Sequence, residues 1–266
     1  PAKELAALAA YSEQHFHRVF KVVVGESVHQ YIRRARMEFA ANQLMFDTSS
    51  TVLDIATKAG FSSLSSFGRV FKSTFGLSPG EWRFSQFQPQ SKPCLEDAEI
   101  ADCYSRLNEF KLPRCNIVEL PARHVAYIRH QGYDRSIKQT WQKLIAWANY
   151  QDRDYTEQFG LLHSNPAVTE LKQCRYVACL SIDKPFQRRG AVNSLTIPEG
   201  LHAVFKLAGK YGELLPQLSH ILERWLPNSG FKMQSTPAYV NYRKNQFLSE
   251  DERFELDFCL PISFYM

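Results

Sequence analysis

Apolar residues Phe16, Val19, Phe20 and Val23 recur at i, i+3, i+4 and i+7, the spacing of one helix face. Ser12 ahead of the run is a natural N-cap and Gly25 behind it a left-handed cap, so the spacing predicts a helix between them. The opposite stripe, Gln14, His17, Arg18 and Lys21, is polar and basic. At an offset of 51 the pattern returns: FHRVFKVVVGES at 16–27 becomes FGRVFKSTFGLS at 67–78. There Phe67, Val70, Phe71 and Phe75 point inward, Leu64, Ser65, Gly68, Arg69 and Lys72 point outward, and Gly76 closes the helix. A match of that density within one chain marks a duplication.

Each copy predicts two helices around a short turn, with Leu5-Ala6 and Ile55-Ala56 at equivalent places and turns at Ala10-Tyr11-Ser12 and Gly60-Phe61-Ser62. Between them a capping box, Ser27-x-x-Gln30, opens a long helix to about Phe46, and another box follows at Ser78-Pro79-Gly80-Glu81. Two helix-turn-helix units bridged by one helix would offer recognition helices to successive major grooves, about 34 Å apart. A charged stripe on one helix is ordinarily a solvated surface. Here Arg18/Lys21 and Arg69/Lys72 repeat on both second helices, where DNA requires phosphate and guanine contacts, and the expected partner is double-stranded promoter DNA.

Periodicity weakens over 84–108, and Gln88-Pro89-Gln90-Ser91-Lys92-Pro93 reads as linker. Beyond it, strand-like runs occur at 116–120, 124–130, 176–182, 202–206, 238–242 and 254–262. Two helical stretches separate them: Ile137, Trp141, Leu144, Ile145 and Ala148, then Leu214, Leu218, Ile221, Leu222 and Trp225. A fainter repeat pairs Ala126–Gly132 with Ala203–Gly209, and Cys179-Leu180-x-Ile182 with Cys259-Leu260-x-Ile262. The expected fold is an all-α double helix-turn-helix domain over 1–88, a linker over 89–108, and an α+β domain over 109–266. The last is read as two pseudo-symmetric strand-helix-strand-strand modules whose antiparallel sheet leaves a small-molecule groove between them.

On the last strand Phe254, Leu256, Phe258 and Leu260 share one face, which should meet the helices, while Glu255, Asp257 and Cys259 share the other. An ionised Asp257 in the groove would favour a cationic or donor-bearing ligand, unless that face is merely solvated. Tyr127, Trp147, Phe205, Tyr239 and Tyr242 are candidate walls for stacking a lipophilic cation. Trp147 lies off the apolar stripe of its helix.

Composition narrows the rest. The chain is 44% apolar and 22% charged with a net charge of +5, which permits nucleic acid without demanding it. Residues 1–83 carry 10 basic and 7 acidic residues, or +3, leaving 22 minus 20, or +2, beyond. No apolar stretch approaches the roughly 18 residues of a membrane span, and the first residues lack a secretory pattern, so no membrane partner and a cytoplasmic location are expected. The six cysteines show no C-x-x-C and read as reduced structural thiols. Neither a hydrolase, phosphate-loop nor dinucleotide motif is present, and the eight histidines have no metal-ligand spacing, so no enzyme activity, cofactor or metal is expected. An architectural DNA binder would require a stronger basic excess.

The second copy, Ile55-Ala56-x-x-x-Gly60-Phe61-Ser62-Ser63 through Phe67-x-Arg69-x-Phe71-Lys72 to Phe75-Gly76-x-Ser78-Pro79, resembles the signature of AraC-type bacterial transcription regulators. The resemblance covers roughly residues 1–83. It implies base-facing roles for Gln14, His17 and Arg18 and for Leu64, Ser65 and Arg69, with RNA polymerase as a partner. Leu64 and Ser65 are shorter than many relatives' side chains, so the second half-site should be read loosely. The family ordinarily has another helix ahead of the first unit, and a segment before Pro1 is expected.

Residues 110–264 resemble the GyrI-like effector-binding domain. The resembling pieces include Val125-Ala126-Tyr127-Ile128-x-His130-x-Gly132, Trp225-Leu226-Pro227-x-Ser229-Gly230 and Glu255-x-Asp257-x-Cys259-x-Pro261. The resemblance aligns Asp257 with the family's pocket glutamate, while Val177 and Val240 stand where relatives often have acids. Some such domains are hydrolases of strained small compounds, which is the alternative reading.

Overall fold

In the computed structural model residues 2–47, 49–85, 92–153, 155–186 and 190–264 are described, and the chain divides into two compact units, Pro1–Gln86 and Phe87–Met266. The first is helical: α1 (Ala2–Leu8), α2 (Glu13–Val24), α3 (Val28–Phe46), α4 (Val52–Lys58), α5 (Leu64–Phe75) and α6 (Pro79–Ser85). The duplicated pattern becomes duplicated capping. Ser12 Oγ accepts from the His15 amide and Ser63 Oγ from the Ser66 amide. At the other ends Gly25 (φ 82°) and Gly76 (φ 78°) donate their amides to Lys21 O and Lys72 O.

The turns differ by one residue. Tyr11 N donates to Ala6 O and Phe61 N to Ala56 O, so Ala10 (φ 54°) and Gly60 (φ 79°) occupy the same left-handed position. The offset is therefore 50 before the turn and 51 after it, copy two having one more residue before its N-cap.

In the second unit, the segment read as linker is structured from Lys92 onward. A 3-10 turn (Pro93–Glu96), α7 (Ala98–Ser105) and another 3-10 turn (Leu107–Glu109) bury Cys94, Ile100 and Tyr104 against Leu171 and Leu215. Tyr104 Oη meets Ser219 Oγ, and Lys92 pairs with Glu223. The apolar i, i+3 and i+4 spacing of Ile100, Cys103 and Tyr104 is one turn long, too short to stand out as a helix.

The sheet comprises β1 (Cys115–Leu120), β2 (Arg123–Gln131), β3 (Gln158–Leu162), β4 (Arg175–Ser181), β5 (Asn193–Ile197), β6 (Gly200–Lys210), β7 (Phe231–Met233), β8 (Ala238–Lys244) and β9 (Arg253–Phe264). Helix α8 (Ile137–Tyr150) follows β2, and α9 (Leu214–His220), continued by a π-type turn to Trp225, follows β6. Strand order is β1-β6-β9-β8-β3-β4-β2-β5, all antiparallel, with β7 paired to β9. The order is palindromic about β8/β3: β2-α8-β3-β4 and β6-α9-β8-β9 are the two modules, and β1 and β5 each pair with the other module's first strand.

This exchange bends the sheet. Leu120 and Arg123 are three Cα steps apart, at most about 11 Å, yet β1 and β2 are six strand spacings apart in the order, about 29 Å if flat. The same holds for Ile197 and Gly200 between β5 and β6, so the sheet curls on itself. One face carries α8 and α9, with Trp141 against Tyr242 and Trp225 against Phe205. The other is the inside of the curl, where Val125, Tyr127, Phe159, Leu161, Val177, Cys179, Ile197, Tyr239 and Cys259 form one cluster with Leu120, Leu195 and Val204.

Candidate nucleic-acid interface and effector cleft

On α2, Gln14, Arg18 and Lys21 are exposed, while His17 is half-buried because its ring stacks on His29 at 5.3 Å, with Glu13 3.9 Å away. Arg18 Nη2 donates to His15 Nδ1 at 3.0 Å. On α5, Leu64, Ser65, Arg69 and Lys72 are all exposed, and Ser65 Oγ lies 3.4 Å from Ser63 Oγ. Gly68 stands where copy one has His17, with open space where a Cβ would be. The two helices thus present like charges on unlike surfaces: α2 bears a stacked imidazole and a held arginine, α5 a flat stripe with an uncovered Leu64. Arginine suits a guanine edge or a phosphate, and an exposed leucine suits a thymine methyl.

The six residues expected to form one effector pocket are divided. Tyr127, Tyr239 and Asp257 share the inside of the curl, following the register Tyr127↔Cys179, Cys179↔Phe159, Phe159↔Asn241 and Asn241↔Asp257. Phe205 and Tyr242 are on the opposite, helix-bearing face and do not line the inside of the curl. Phe205 is fully buried between Trp225 and Phe258, and Tyr242 Oη lies 3.1 Å from Tyr176 Oη beneath Trp141. Strand alternation decides this, since Val204 and Asn241 take the inward positions beside them. Trp147 is on neither face: it stacks on Phe186 at 5.4 Å, with the Arg153 guanidinium 5.8 Å from its ring.

Asp257 is not a bare acid, because Arg243 Nη1 donates to its Oδ1 at 2.6 Å. An inward acid absent from the sequence reading is Glu157, held by Arg123 at 3.3 Å and by Asn241 Nδ2 at 3.1 Å. It stands immediately ahead of β3, a strand the alternation scan does not detect. Both carboxylates are therefore matched by arginines. Burial pushes the Tyr239 hydroxyl far above its ordinary range and the Cys259 thiol up to about 12, so both stay protonated near neutrality.

Between the strand ends lies a cleft of about 350 Å³, lined by Leu161, Leu195, Ile197, Tyr239 and Pro261 together with His163, Glu199 and His202. The His202 ring packs edge-on against Tyr239 at 5.5 Å, and its Nδ1 lies 2.7 Å from Gly200 O, a contact that requires an Nδ1 proton. Volume and apolar lining suit a small organic molecule. Among the described residues no cluster of three or more His, Cys, Asp or Glu could hold a metal, and no helix is long and apolar enough to cross a membrane.

Residues 113–263 match the GyrI-like small molecule binding domain family, and residues 5–85 match a helix-turn-helix domain family. The protein named "Probable transcriptional regulator YgiV" of Escherichia coli (strain K12) is 25% identical over 152 residues, 56% of this chain and 95% of YgiV. The HTH-type transcriptional activator AarP of Providencia stuartii is 40% identical over 82 residues, 31% of this chain and 60% of AarP. A cryo-EM structure of the EcmrR-DNA complex superposes with a TM-score of 0.49 at 13% identity, covering 99% of each chain. The chain belongs to the GyrI-like small molecule binding domain family and carries an AraC-type helix-turn-helix DNA-binding domain ahead of it, the make-up of an effector-binding transcription regulator.

Proposed function

We propose that α2 and α5 enter the major groove of promoter DNA with Gln14, His17, Arg18, Leu64, Ser65 and Arg69 toward base edges and Lys21 and Lys72 toward phosphates. The carrying observation is that the Arg and Lys positions of both second helices are exposed on identically capped helices. RNA polymerase is the partner on which the regulation acts, in the bacterial cytoplasm. The effector occupies the 350 Å³ cleft beside Tyr239 and is lipophilic, neutral or cationic, because among the described residues the lining offers Glu199 but neither lysine nor arginine. We read the domain as a sensor and not a hydrolase, since the inward thiols of Cys179 and Cys259 are held protonated by burial and are poor nucleophiles.

Duplexes selected by the full chain from a randomised library provide the test. Arg18→Ala should relax one base position at a cost of about 1–3 kcal/mol and Arg69→Ala another, while Lys21→Ala or Lys72→Ala should each lower the salt slope by about 1. Equal, sequence-independent losses for all four would refute base reading. A thermal-shift panel of lipophilic cations and neutral compounds of matched size tests the cleft: stabilisation should vanish in Tyr239→Ala, and persistence there would refute the assignment.

A further inference from the structure

Arg18 and Arg69 occupy the same position in the two copies, but their surroundings differ. Arg18 Nη2 lies 3.0 Å from His15 Nδ1, one turn earlier on α2, and the His15 ring is braced edge-on by Tyr11 at 4.7 Å. At the matching place copy two has Ser66, and among the described residues no side chain holds Arg69. A guanidinium has five donors and no acceptor, so the Arg18 contact requires a free lone pair on Nδ1. Only the neutral imidazole with its proton on Nε2 supplies one. Protonation would convert Nδ1 to a donor and place two cations side by side.

Resting on the base-reading role of Arg18, we infer that His15 is a positioning residue that aims Arg18 in its neutral form only, which makes discrimination at the first half-site proton-sensitive and leaves the second half-site insensitive. Histidine changes charge between about pH 5 and 8. Two effects then have opposite signs. As pH falls, the added charge strengthens non-specific attraction to phosphates, while the loss of a pre-aimed fork weakens choice between bases. Other titratable groups on this surface among the described residues include Tyr11 from the preceding turn, Glu13, His17 and Lys21 on α2, and His29 at the start of α3. His17 is 3.9 Å from Glu13 and stacked on His29, so its contacts are separate from the Arg18–His15 one.

The experiment uses the full chain and a duplex it selects at pH 8 from a randomised library, with affinity measured for that duplex and for single base-pair replacements at pH 8 and 5.5 and constant ionic strength. At the base pair whose preference Arg18→Ala abolishes, wild-type discrimination should fall about tenfold at pH 5.5, the size expected for one misaimed bidentate contact, while affinity for unrelated duplex rises. At the base pair assigned to Arg69 no change is expected. His15→Asn, whose Oδ1 replaces the acceptor and does not titrate, should hold discrimination at both pH values. His15→Ala should lower it at both, and His29→Asn should leave the wild-type profile in place. A flat wild-type profile at the Arg18 base pair, or a His15→Asn profile like wild type, overturns the inference. If Arg18→Ala changes no base preference even at pH 8, the base-reading assignment fails and the positioning role fails with it.

Discussion

The two helix-turn-helix copies share a sequence pattern and a set of caps but not an environment. In copy two, Phe67 and Phe71 of α5 are completely buried, Phe71 and Phe75 pack on Trp82 of α6, and Trp82 Nε1 donates to Ala41 O of α3. Arg83 Nη2 also donates to Ser50 O at 2.8 Å, tying α6 to the loop before α4. In copy one no residue of α2 is fully buried: Phe16, Val19 and Phe20 remain half-covered and Val23 is 41% exposed. Its main aromatic support beyond its own helix is Tyr31, 5.4 Å from Phe20. Apolar spacing therefore encodes which face of a helix is sticky, and the neighbouring elements decide how much stability it yields.

The sharpest way to break this comparison is to truncate the same aromatic in each copy. Phe71→Ala removes a fully buried ring packed on three others and should cost about 3–5 kcal/mol, whereas Phe20→Ala, at the matching position, should cost about half as much or less. Urea unfolding of the full chain followed by far-UV circular dichroism reads both. Equal losses would mean that copy one is as well packed in solution as copy two.

This contrast also marks what was legible in the sequence. Caps and stripes are local, so Ser12, Gly25, Ser27 and Gly76 act as their positions suggest. Strand alternation was legible within β9, where Phe254, Leu256, Phe258 and Leu260 are buried toward the helices. Between strands, alternation carries no common origin, which is why Phe205 and Tyr242 were assigned to the wrong face. Strand β3 escaped because Gly160 interrupts a five-residue run. It is glycine because a Cβ would lie 2.4 Å from Tyr176 Oη. The Arg243–Asp257 pair depends on a register shift between Tyr242 and Lys244, a long-range feature without a local signal.

Acid probes a second anchor of copy two. The loop between α3 and α4 is held by Asp47, whose Oδ1 accepts from the Ser49 and Ser50 amides and whose carboxylate also accepts from both hydroxyls. Burial alone would raise its pKa, but the serine hydrogen bonds prevail and hold it below the usual carboxylate range. Since the folded pKa is depressed, this contribution is fully present above the unfolded value of about 3.9 and disappears as pH falls through the folded one. Asp47→Asn keeps one acceptor and loses the charge, so it should cost about 1–2 kcal/mol at pH 7 and less as the pH falls toward 2. Chemical denaturation at the two pH values checks this. An undiminished cost at pH 2 would show that shape and not charge anchors copy two.

The smallest expected effect lies in the turns. Ala10 and Gly60 share a left-handed conformation that costs a non-glycine residue about 1–2 kcal/mol, but a glycine also leaves the unfolded chain about 0.4–1 kcal/mol more freedom. Ala10→Gly should therefore stabilise by about 0.5 kcal/mol, as the relieved strain narrowly exceeds the added entropy. The reverse change is not its mirror image. A Cβ at Gly60 would lie 3.1 Å from the Arg36 guanidinium, whose Nη1 faces Gly60 O at 3.5 Å, so Gly60→Ala adds a displaced side chain to the backbone strain and should cost about 1–2 kcal/mol. Thermal unfolding of both variants and of the double exchange reads the asymmetry. With separate turns the two changes should add within about 0.5 kcal/mol. A loss of stability in Ala10→Gly would contradict the left-handed assignment in copy one and leave Gly60 as a peculiarity of copy two.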